Sequence, residues 1–166
     1  LTAGKFDSYG ANASLNYKTG KFNFFTNSGY RDNTNVGQNY QNNSYSANSN
    51  FDQFVETRKF DRRRVGTNVN VGFDYNLTEK TKLTLSYVQN ERDGDDETLN
   101  DQNHFLAAIP ITKSLRSEIE EDYDLNKQLS LSLTHKFNES GHKIDITLQG
   151  ERNIENEFAD LRTQQF

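Results

Sequence analysis

The chain contains no cysteine and a single proline among its 166 residues, and no apolar run approaches the length of a membrane-spanning helix. Without cysteine there is no disulfide framework, no thiolate metal site and no thiol nucleophile. The lone proline leaves long strands uninterrupted, because proline removes a ladder donor and is confined to strand edges and bulges. A transmembrane helix needs about 20 apolar residues, whereas a transmembrane strand needs only about 9 to 11 of alternating character, so the missing run does not exclude a membrane. Only 32% of the residues are hydrophobic and the mean hydropathy is -0.98, a balance typical of disorder. Twelve Phe and eight Tyr, recurring at alternate positions inside periodic segments, argue instead for ordered β structure with very polar connections. A net charge of -5 argues against nucleic acid as a partner.

What is present is a period of two. Val65, Thr67, Val69, Val71, Phe73, Tyr75 and Leu77 alternate with Gly66, Asn68, Asn70, Gly72, Asp74 and Asn76, so a strand here has one apolar and one polar face. Three hairpins carry the pattern, at about 10–30, 65–89 and 125–152, with tight turns at Lys18-Thr19-Gly20-Lys21, Thr78-Glu79-Lys80-Thr81 and Asn138-Glu139-Ser140-Gly141. Tyr17 and Phe22 flank the first turn, Tyr75 precedes the second and Phe137 the third, the places an interfacial aromatic girdle occupies. The apolar parity needs a cover, and no segment carries a helical period to provide one. Lipid supplies the cover in a barrel; an opposing sheet supplies it in a soluble sandwich.

Between the hairpins, residues 31–64 and 90–124 are dominated by Asn, Ser, Asp, Glu and Gln. Connections of this length are foreign to a compact soluble domain, and short turns at one end with long loops at the other characterise outer-membrane barrels. The expected fold is therefore all-β, an antiparallel up-and-down meander of about six strands, with the tight turns periplasmic and the long segments extracellular, as loops or as continuations of the strands. Extra strands around Tyr40 to Phe54 and Phe105 to Ile111 would allow a small complete barrel.

The phrases Asn16-Tyr17-Lys18-Thr19-Gly20-Lys21-Phe22-Asn23-Phe24-Phe25, Gly72-Phe73-Asp74-Tyr75-Asn76-Leu77-Thr78-Glu79-Lys80-Thr81 and Leu131-Ser132-Leu133-Thr134-His135-Lys136-Phe137 resemble the barrel of Bacteroidetes-type TonB-dependent outer-membrane receptors. The resemblance runs from about Gly10 to Phe158 and rests on strand and turn phrasing, not on a catalytic signature. It implies a nutrient-import receptor of about 22 strands, of which this chain is a middle portion without signal peptide, TonB-contacting segment or plug. The implied partners are outer-membrane lipid, the remaining strands and plug, the TonB system and a surface lipoprotein, with the nutrient unidentified. Six strands in lipid leave two unpaired edges, so a spanning sheet of this kind must close with others.

No constellation specifies catalysis, and no enzyme activity, cofactor, metal or catalytic residue is expected: no local signature activates the abundant serines. Asp93, Asp95, Asp96, Glu97 and Asp101 offer hard oxygen donors for calcium, but without EF-hand spacing they suit a solvated loop better. Glu118, Glu120, Glu121, Asp122 and Asp124 form a second acidic run. Arg58, Lys59, Arg62, Arg63 and Arg64 form a basic run just above the Val65 strand, with Arg62 and Arg64 on its polar parity, suited to the lumen, to lipid phosphates or to pairing with the acidic runs. His104, His135 and His142 lack metal spacing. Tyr40, Tyr45, Phe51 and Phe54, set among Asn and Gln, have the residue types of sugar recognition. The Asn-x-Ser/Thr matches at Asn12, Asn42, Asn76 and Asn138 matter only in a eukaryotic secretory protein. The rival functions are a soluble β-sandwich module for glycans and a small complete barrel acting as adhesin or structural protein.

Overall fold

In the computed structural model, which describes residues 2–46, 50–138 and 140–166, the chain forms one antiparallel sheet. Its strands are β1 (Thr2–Thr19), β2 (Phe22–Ser44), β3 (Gln53–Asn76), β4 (Thr81–Leu106), β5 (Ile109–Lys136) and β6 (Lys143–Gln165). Each pairs with the next in sequence, so the sheet is the expected up-and-down meander with β1 and β6 at its two edges. At about 3.3 Å per residue the 28 residues of β5 extend roughly 90 Å.

That length corrects the expected loops. Residues 31–64 belong to β2 and β3 and to their connection at 45–52; residues 90–124 belong to β4 and β5, joined by Ala107 and Ala108 alone. The segments 40–54 and 105–111 are accordingly the ends of these strands and their links, not additional strands. Residue types poor in β propensity form strand here because their partners are set opposite them. Arg63 faces Thr34 and reaches Asp32, Arg64 reaches Asp96, Arg92 pairs with Asp124, and Gln102 bonds Glu56 at 3.1 Å. Cross-strand pairs of opposite charge stabilise a ladder where side-chain packing does not.

The tight turns are where the sequence puts them. Gly20 adopts φ 54° and Gly141 φ 93°, conformations that glycine enters without steric cost. The second turn is closed by Thr78 and Thr81, whose backbones exchange hydrogen bonds of 3.3 and 3.4 Å. In the third, Asn138 Oδ1 accepts from the backbone N–H of Ser140 at 3.1 Å; Glu139 lies outside the described residues.

Register assigns every strand to two faces. On one, here the Val69 face, the row nearest the first turn reads Thr19, Phe22, Tyr75, Leu83, Leu133 and Ile146, and the next reads Tyr17, Phe24, Phe73, Leu85, Leu131 and Leu148. On the opposite, Asn68 face the corresponding row is Asn16, Phe25, Gly72, Ser86, Ser130 and Gln149. No second layer covers either face, and among the described residues no apolar side chain is buried. Burial follows parity: Gly94, Asp96, Thr98 and Asn100 are buried while Asp93, Asp95, Glu97 and Leu99 between them are exposed. Along this stretch of β4 the Asn68 face is therefore the more enclosed of the two.

Candidate functional site

Three surfaces of the sheet have the composition of working surfaces. The first is the apolar band of the Val69 face beside the tight turns, crossing all six strands. Leu15, Tyr17, Phe22, Leu129, Leu131, Ile144, Ile146 and Leu148 in it are all exposed. Phe22 stacks on Tyr75 across β2 and β3 with ring centroids 4.5 Å apart, joining the aromatics expected at the first two turns. Phe137 at the third turn packs edge-on against His135 at 4.8 Å, and His135 Nδ1 lies 2.8 Å from Thr81 Oγ1. This explains the one polar ring on an apolar parity: its nitrogen is satisfied within the hairpin end.

The second surface is the Asn68 face beyond the band. Arg64 grips Asp96 with both terminal nitrogens, at 2.5 and 2.9 Å, and Nη2 also lies 3.3 Å from Asp122. Arg62 Nε is 3.7 Å from Asp96, and Arg92 pairs with Asp124. Of the basic run, Arg62 and Arg64 thus pair with the two acidic runs. Farther along, Arg58 Nε donates to Asn100 Oδ1 at 3.0 Å, and the same row carries two buried atoms without a protein partner, Asn39 Oδ1 and Arg116 Nε. Glu118 and Glu120 share this face two residues apart. Hydrogen bonding with Glu118, partial burial and the negative field of Glu118 and Asp96 raise the Glu120 carboxyl above its ordinary 4.5. On the Val69 side, hydrogen bonds from Arg63 at 3.1 and 2.7 Å lower the Asp32 carboxyl below its ordinary range.

The strand geometry also separates the carboxylates of the 93–101 segment. Asp93, Asp95, Glu97 and Asp101 line one face of an extended strand and Asp96 the other. The carboxylates are spread along β4 instead of converging, and among the described residues no three His, Asp or Glu side chains gather as a metal site. His104 stands at the far end of β4 from His135 and His142.

The third surface is the tip opposite the tight turns. Of the four aromatics expected to serve sugar recognition, three converge, and they do so around His104: Tyr45 meets Phe51 edge-on at 5.1 Å, Phe51 meets His104 at 4.6 Å, and Phe54 meets His104 at 5.0 Å. Tyr40 lies on β2, opposite Thr57. Asp52 ties the two hairpin ends together, its backbone N–H donating to Phe105 at 2.9 Å and its Oδ2 accepting from Ala107 at 2.7 Å. His104 was invisible as a member of this cluster because only the β3–β4 register, Phe54 opposite His104, brings it there. Residues 94, 96, 98 and 100 are no less polar as a set than their neighbours, so nothing in the sequence marks them as the enclosed side.

No family model matches the chain. The chaperone protein dnaK of Thalassiosira pseudonana is 32% identical over 83 residues, which are 49% of this chain and 14% of that protein. The matched segment is therefore a small part of its relative. A substituted variant of a Rh. blastica porin aligns over 97% of this chain and 91% of its own at 8% identity, with a TM-score of 0.14, too low to bear on the fold.

Proposed function

We propose that this chain is a wall segment of a bacterial outer-membrane β-barrel, and that the barrel is a TonB-dependent nutrient receptor of the Bacteroidetes type. The observation that carries the membrane assignment is the apolar band on one face of all six strands, uncovered by any other layer and backed by a polar face. Its aliphatic side chains are each worth about 1.5–3 kcal/mol when removed from water, and lipid does this without a second sheet. The Asn68 face then lines the lumen, and the unpaired backbones of β1 and β6 take up further strands, since a sheet with open edges is not viable in lipid. The strands continue well past the bilayer as a charge-paired collar. The nutrient-receptor assignment rests on the turn and strand phrases quoted above, with the tip cluster of Tyr45, Phe51, Phe54 and His104 and the Arg58 row as surfaces for ligand capture. Neither surface carries an activated nucleophile, and we assign the segment no catalytic role.

The absence of cysteine makes a direct test simple. Spin labels on single cysteines from Leu83 to Tyr87, in chain reconstituted into vesicles, report contact with oxygen dissolved in lipid or with an aqueous nickel chelate. Positions 83, 85 and 87 are expected to favour oxygen and 84 and 86 the chelate. Equal shielding of all of them in detergent-free buffer would instead indicate a soluble core.

A further inference from the structure

Lys127 on β5 and Arg152 on β6 are direct cross-strand partners on the Val69 face. Like charges set opposite one another destabilise a sheet unless an anion lies between them. Among the described residues neither side chain has an ion pair or hydrogen bond. The carboxylates close by bond other groups and form no ion pair with either cation. Glu91, diagonal to Lys127 on β4, accepts from the Tyr123 hydroxyl at 3.0 Å. Glu151, next to Arg152 on β6, points to the other face and accepts from Asn126 at 2.8 Å.

Beneath this cationic pair the face is apolar, with Leu129, Leu131 and Leu133 on β5 and Leu148, Ile146 and Ile144 on β6. Gly150, two residues below Arg152 and opposite Leu129, leaves a notch: a Cβ there would meet nothing within 4 Å, and Leu129 is 53% exposed beside it. The eight steps from Ile144 to Arg152 rise about 20 Å at a barrel tilt of about 35–45°, close to the top of a lipid-facing band about 25 Å tall. The two cations therefore stand at headgroup depth above a strip of hydrocarbon.

Resting on the lipid-facing assignment of this face, we propose that Lys127 and Arg152 form a binding site for the anionic phosphate of an outer-leaflet lipid. Its acyl chain lies in the Gly150 notch against Leu129 and Leu148. The phosphate removes the repulsion between the two cations, and the guanidinium presents the forked donors that suit its oxygens.

The chain has no tryptophan, so Leu131→Trp supplies a single reporter just below the site. The full chain carrying it, in phosphatidylcholine vesicles with a fraction of phosphatidic acid, is compared with brominated tails on one lipid or the other. Brominated phosphatidic acid is expected to quench several-fold more strongly at equal fraction. That preference should fall to parity in K127Q/R152Q, persist in R152K, and be unaffected by inorganic phosphate. Equal quenching by both lipids in the reporter protein, or a preference that survives K127Q/R152Q, would overturn the site while leaving the lipid-facing wall intact. Competition by free phosphate would overturn the lipid as occupant. Quenching by neither lipid would remove the lipid-facing assignment and the site with it.

Discussion

Arg64 on β3 and Asp122 on β5 meet at 3.3 Å across an intervening strand, because the β4 residue between them is Gly94. A side chain there would begin 2.5 Å from Asp122 Oδ2 and 2.9 Å from Arg64 Cζ. Both are ends of side chains free to swing away, so Gly94→Ala is expected to cost no more than about 1 kcal/mol. It should nevertheless abolish the coupling between the two charges. A double-mutant cycle of Arg64→Ala and Asp122→Asn should give about 0.2–1 kcal/mol in the parent and nothing in the Gly94→Ala background. A coupling unchanged by Gly94→Ala would mean that the ions do not meet over the glycine.

Gly72 sits under a different kind of constraint. A Cβ at this position would lie 2.5 Å from the Phe25 ring and 2.6 Å from the Leu85 carbonyl oxygen, and the second of these is backbone. Gly72→Ala is therefore expected to destabilise by about 1–3 kcal/mol, more than Gly94→Ala, in urea unfolding from micelles. Phe25→Ala should not rescue it. Full rescue would show that the ring, not the ladder, sets the limit.

These two glycines mark what sequence could and could not reveal. The alternation from Val65 to Leu77 is legible because hydrophobicity itself changes with parity. Phe25 breaks the matching alternation of β2, and its place on the polar face makes sense only once register sets it opposite Gly72. Beyond the band both parities are polar, so period two carries no hydrophobic signal and residues 31–64 and 90–124 look like loop. Their order comes from partners such as Arg63 with Asp32 and Arg64 with Asp96, in both cases more than thirty positions apart, which a single strand does not announce. The tip cluster was half legible for the same reason: its aromatics were visible, but His104 required the pairing of β3 with β4.

The Glu118–Glu120 pair makes stability depend on pH in a defined direction. Glu120 holds its proton more tightly in the folded protein than its ordinary 4.5. The resulting contribution is complete below that value and is lost as pH rises through the higher folded value. Glu120→Gln should therefore stabilise the protein at neutral pH, by less than about 1 kcal/mol for a partly solvated pair, and the gain should vanish as the pH falls below 4.5. Unfolding midpoints of both proteins across that range provide the check, and a gain that grows on acidification would contradict the assignment.

At the opposite end, β4 turns into β5 through Ala107 at φ 50° and Ala108 at φ 65°. Two successive left-handed residues are the geometry of a type I′ hairpin turn, which Asn-Gly fills without strain. Alanine in this region costs about 1–2 kcal/mol because its Cβ crowds the following carbonyl. Ala108→Gly is expected to recover about 1 kcal/mol, since the relief of strain exceeds the added flexibility of the unfolded chain. Ala107→Asn with Ala108→Gly should recover more. Amide exchange at Leu106 and Ile109 is expected to slow in both variants, because the terminal pair of a relaxed hairpin opens less often. Faster exchange would place the turn in another conformation and remove Asp52, which accepts from the Ala107 N–H, as the tie between the two tip hairpins.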